Sequence, residues 1–199
     1  MAHTNLFVCA IKAHNLLISR ISVAASLGVL AKVAATEMLK KIAILGLGNP
    51  LLTDDAVGLK VAERLQAFLR DNPVPGLDIL TSTRAGFELI DLLSGYEYAI
   101  IVDAFLSDKP EPGKIRYLTM QNISGNARLV GPHDIGVDVA FELAKQLGIP
   151  MPGEVEIVAI DVEDTFTFSE EMTPSIMAVI EPLAVELLKR AGELLPRHE

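Results

Sequence analysis

From Leu39 onward, short apolar runs alternate with longer stretches whose apolar residues recur at helical spacing, and that alternation points to an α/β sheet with helices on both faces. Residues 41–46 (KIAILG), 77–81, 98–103 (YAIIVD), 114–119 and 154–160 read as strands. The first and third are apolar almost throughout, as strands buried on both faces are. Residues 56–70 place Val57, Val61, Leu65, Phe68 and Leu69 on one helical stripe, and Asn72-Pro73 ends that helix. A shorter helix is predicted over 85–94. A third runs over 134–147, with Ile135, Val139 and Leu143 as its apolar face, and Gly148-Ile149-Pro150 stops it. The last runs from Thr173-Pro174, with Thr as cap and Pro in the first turn, to about Gly192. No helix separates the third strand from the fourth, and so short a link suits an antiparallel neighbour. The expected architecture is a three-layer α/β fold around a mixed, twisted, five-stranded sheet with one antiparallel strand.

Half of the 199 residues are hydrophobic and 22% are charged, enough apolar material for one well-buried domain and too little chain for two. The expected division is an N-terminal extension over residues 1–37 and a single domain over 38–199. The extension holds no Asp or Glu before Glu37 and only Lys12, Arg20 and Lys32 as basic residues. Arg20 and Lys32 interrupt it too often for a membrane span, and no clear polar cleavage region follows it, as a leader would require. Translation starting at Met38 is the reading favoured here. No membrane contact is expected for residues 38–199, and the expected location is the cytoplasm. Cys9 is the only cysteine, so disulfide frameworks and Cys-rich metal sites are excluded. The net charge of −9 argues against nucleic acid as a partner.

Ligands of an open α/β sheet gather beyond the carboxyl ends of its parallel strands. Three features fall there. The first is the loop from Gly46 to Gly58. It lacks the third glycine of a dinucleotide fingerprint, since Leu51 stands in that place, and two carboxylates precede the helix where a pyrophosphate would lie. Thr53 or Asp54 is the candidate cap of the helix and Asp55 suits its dipole. One cap does not account for Asp54 and Asp55 together. The second feature is Asp103, a carboxylate closing a buried strand, costly there unless it caps a turn, is paired or meets a cation. The third is His133, ahead of a helix for which Asp134 is the candidate cap. Two carboxylates and one imidazole suit a borderline divalent metal such as nickel or zinc, held weakly or transiently.

The run GLGNPLLTDDAVGLKVAERL, the strand end IIVDA, the segment TRAGFELIDLL and the segment GPHDIGVDVA, in this order, resemble the hydrogenase maturation endopeptidases, the C-terminal processing proteases of nickel-iron hydrogenases. The resemblance extends from about Leu39 to about Arg190. It implies a phosphorylase/hydrolase-like sheet fold and an endopeptidase that removes the C-terminal extension of a [NiFe] hydrogenase large-subunit precursor. It further implies that nickel is supplied by that precursor, with no tightly bound cofactor of the protease's own. The family's metal-contacting and catalytic positions fall on Asp55, Asp103 and His133. Relatives often carry Glu at the first of these, and Asp54 is the fallback if the alignment slips by one. Gly86 matches a glycine that shapes the cleft ahead of the second helix.

Two other functions compete. A non-cleaving, nickel-dependent checkpoint module for hydrogenase assembly would use the same three residues. A peptidyl-tRNA hydrolase shares the opening GLGNP, but this chain continues with Leu-Leu-Thr-Asp-Asp and is acidic. No Gly-x-Ser-x-Gly elbow supports a serine hydrolase. The acidic stretch from Asp161 to Glu171, with Phe166 and Phe168 alternating in it, follows the fifth strand and is a candidate contact for the precursor.

Overall fold

A computed structural model describes residues 41–84, 86–120 and 137–195. Five strands form one sheet: β1 (Ile42–Leu47), β2 (Leu77–Ser82), β3 (Tyr98–Phe105), β4 (Ile115–Thr119) and β5 (Glu154–Asp161). A 3-10 turn (Thr53–Ala56) leads into α1 (Val57–Asp71), and three further helices follow: α2 (Glu88–Leu93), α3 (Val137–Leu147) and α4 (Pro174–Leu194). No helix among the described residues is long and apolar enough to cross a membrane. The extension over 1–37 lies outside the described residues.

Strand side chains alternate between faces, and the sequence supplies apolar residues for both. Ile42, Ile44, Ile100, Val102, Val158 and Ile160 enter one core with α1 and α4. Ala43, Leu45, Ala99, Ile101, Val155 and Ile157 enter the other with α2 and α3. This double burial is why β1 and β3 are apolar at nearly every position.

The strand order is β2-β1-β3-β5-β4. The first four are mutually parallel, and β4 runs antiparallel to β5. The single antiparallel strand is the one expected, but its partner is not the neighbour that the short link suggests. β5 inserts between β3 and β4. The link after β3 passes around the end of β5, where Gly113 N–H donates to the Asp161 carbonyl at 2.8 Å and Asp161 N–H donates to the Lys114 carbonyl at 2.8 Å.

Two helix expectations also change. The buried stripe of α3 is Val137, Ala140 and Ala144, while Val139 is exposed. Thr173 does not cap α4 through its side chain; its hydroxyl is engaged elsewhere.

Candidate active site

β1, β2, β3 and β5 end on a common rim, and the chain leaving β1 is shaped there by glycine. Gly48 has φ +146°, and a Cβ on it would lie 2.0 Å from the Asp55 carbonyl oxygen. Gly58, in the first turn of α1, is more constrained. Its Cβ would meet both the Leu47 and the Val102 carbonyl oxygens at 2.3 Å. The N-terminus of α1 is thus wedged between the ends of β1 and β3, and the 3-10 turn packs against β3. Only glycines allow this approach, and the approach brings Asp55 to the rim that carries Asp103.

Thr53, Asp54 and Asp55 are all buried, and each has a distinct set of bonds. Thr53 Oγ1 donates to the Thr167 carbonyl at 2.9 Å. Asp54, fully buried, accepts at Oδ1 from Thr173 N–H at 2.8 Å and from the Thr173 hydroxyl at 2.9 Å. Its backbone N–H donates to the Asp164 carbonyl at 3.0 Å. Asp55 accepts at Oδ2 from Asn49 N–H at 2.9 Å. Neither the turn nor α1 has a side-chain cap, so capping by Thr53 or Asp54 is not what these residues do. The 3-10 turn runs straight into the helix, and the Thr53 and Asp54 side chains reach instead to the loop that precedes α4.

Asp103 is 7% exposed, and its Oδ1 accepts from Ala104 N–H at 2.8 Å. It does not close its strand, since β3 continues to Phe105. By the alternation of β3 it stands on the face covered by α2 and α3. Gly86, with φ +82°, turns the chain into α2, where Leu89 N–H donates to the Gly86 carbonyl at 3.1 Å.

Two of the three predicted site residues, Asp55 and Asp103, are therefore carried by adjoining elements at one rim. His133 and Asp134 lie outside the described residues. Among the described residues, no group of three or more His, Cys, Asp or Glu is arranged to hold a metal ion. Buried carboxylates at a rim are costly unless bonded or matched by a cation; chemically, a carboxylate there can act as an oxygen ligand or as a base toward water.

Residues beyond the three predicted site positions also build this rim. Gly58 carried a signal, because a glycine inside a helix costs about 1 kcal/mol relative to alanine and so marks a close approach. Asn49 orients Asp55 through its backbone, which no residue type reveals. Asp161, fully buried at the end of β5, pairs with Arg116 at 2.9 Å and accepts from Glu111 N–H at 3.1 Å. Burial pushes its carboxyl up, but Arg116, the Glu111 amide and the Ser107 hydroxyl outweigh that and hold it below the ordinary range.

The chain was compared with known proteins. The model of the hydrogenase maturation protease (HycI) family matches residues 59–190. The hydrogenase 2 maturation protease of Escherichia coli K12 is 29% identical over 164 residues, covering 79% of this chain and 97% of that protein. The solved structure of the hydrogenase maturating endopeptidase HybD from E. coli superposes with a TM-score of 0.62 at 26% identity, covering 77% of this chain and 93% of that one. The [NiFe] hydrogenase maturation protease HycI from Thermococcus kodakarensis KOD1 shares the fold, with a TM-score of 0.60 at 22% identity over 76% of this chain and 92% of that one.

Proposed function

The chain belongs to the hydrogenase maturation protease family, and on that premise we propose that it cleaves the C-terminal extension from a nickel-loaded [NiFe] hydrogenase large-subunit precursor in the cytoplasm. Membership favours an endopeptidase over the non-cleaving checkpoint module and over a peptidyl-tRNA hydrolase. The observation that carries the substrate reading is the pair of buried carboxylates, Asp55 and Asp103, on adjoining elements at the ligand-binding rim.

The donor set fits the task. Carboxylate oxygens with one imidazole, His133, bind nickel too weakly to strip it from a thiolate site. They suit completion of a coordination shell that the precursor already provides. In this reading the metal is part of the substrate, and the three side chains recognise it while placing the scissile peptide beside them. Asn49 holds Asp55 toward the rim through its backbone amide. Two mechanisms follow as alternatives: a carboxylate so placed would take a proton from the attacking water as general base, or the substrate's nickel would polarise the carbonyl as a Lewis acid.

The test is the intact mass of a co-expressed large-subunit precursor, with nickel loaded or withheld. The precursor loses a defined C-terminal peptide only with nickel and the wild-type chain. Asp103→Asn and His133→Ala leave it full length. Cleavage without nickel, or by either variant at the wild-type rate, would remove the proposed recognition.

A further inference from the structure

The loop between β5 and α4 presents large apolar side chains on a backbone that is held firmly in place. Phe166 is 75% exposed, Phe168 82%, and Leu51, across from them, 53%. Leu52 and Phe168 form an antiparallel bridge, Ser169 N–H donates to the Leu51 carbonyl at 3.1 Å, and Thr53 N–H donates to the Thr167 carbonyl at 3.1 Å. Asp164 Oδ1 then accepts from Phe166 N–H at 3.0 Å and from Thr167 N–H at 2.9 Å. The Thr167 hydroxyl, together with those two amides, keeps its carboxyl below the ordinary range. Aromatic side chains fixed in water by such a frame gain nothing for the fold. A few residues carry most of the energy at protein interfaces, aromatic side chains including Phe are enriched there, and exposed apolar patches mark such surfaces.

The surroundings specify the partner. Glu163, Glu170 and Glu171 are exposed around the two Phe residues, and the segment 161–173 contains no Lys or Arg. An acidic border selects a basic one on the partner and speeds encounter. The patch is also continuous with the candidate site. Thr53, bonded to Thr167, is two positions from Asp55, and Asp54 bonds the same loop at Asp164.

We propose that Leu51, Phe166 and Phe168 form the docking surface for the large-subunit precursor, which meets them with an apolar surface bordered by Lys and Arg. The proposal rests on the substrate reading above and adds to it where the folded body of the precursor lies while its C-terminal segment enters the site.

The test titrates nickel-loaded cognate precursor against the wild-type chain, Phe166→Ser/Phe168→Ser, Glu170→Lys/Glu171→Lys and the control Leu147→Ser, whose side chain is 62% exposed at the end of α3. Binding and processing are read in the same samples. The Phe pair raises Kd and KM at least tenfold with kcat within twofold of wild type. The Glu pair slows association. Leu147→Ser changes nothing. Both Phe side chains are exposed, so the fold survives, and each single Ser variant gives an intermediate Kd. If the double variant binds and cleaves like an active wild type, the docking surface is refuted and the protease reading stands. If the double variant only changes the chain's oligomeric mass, the patch belongs to a second copy and the proposal falls. A wild type that neither binds nor cleaves verified nickel-loaded precursor overturns both.

Discussion

Asp54 and Asp55 are neighbours of the same residue type with opposite duties. Asp54 is spent on structure. Its carboxylate holds Thr173 and its backbone holds Asp164, so Asp54→Ala leaves buried donors unmatched and costs about 3 kcal/mol of stability, measurable by urea unfolding. Asp55→Asn keeps the acceptor that Asn49 needs. It is expected to unfold at nearly the wild-type urea concentration while slowing precursor processing by roughly 100-fold or more. A variant pair that behaves the other way round would exchange the two assignments. The sequence makes the doubled carboxylate conspicuous, because one helix start has use for one cap. Which of the two turns inward is not legible there. It depends on Thr173, a partner 119 residues away.

At the level of elements, the order and type of strands and helices are legible because two core faces demand two apolar sets from each central strand. Adjacency is less so. The short link between β3 and β4 suits direct pairing, yet β5 lies between them, and the link gathers around the buried Asp161 carboxylate at the end of β5. Since this carboxyl sits below its ordinary value of about 3.9, its pairing contributes fully above that value and is lost as the pH falls through the folded one. Asp161→Asn therefore lowers unfolding free energy at pH 7 by about 2 kcal/mol. The gap to wild type narrows as the pH falls below the ordinary carboxyl value, as denaturation measured over a series of pH values downward from 7 will show. The wedge of α1 between β1 and β3 makes a separate prediction. Gly58→Ala forces the Leu47 and Val102 carbonyls apart. It costs about 3 kcal/mol by overpacking, and it lowers processing even below the melting temperature, because Asp55 moves with the helix.

For the whole molecule, the rim is assembled from distant parts of the chain: the turn after β1, the middle strand β3, the loop after β5 and the first residues of α4. Its closing bonds, from Asp54 to Asp164 and Thr173, span more than half the polypeptide. Contacts of such high order form late, after local helices and hairpins are in place. During synthesis, a chain that ends with β5 has β1 and Asp55 but not the Asp164, Thr167 and Thr173 groups that bond the turn. The turn that carries Asp55 is therefore completed only when nearly all of the chain has left the ribosome, so under the proposed function a half-made copy would have no finished site with which to trim a precursor.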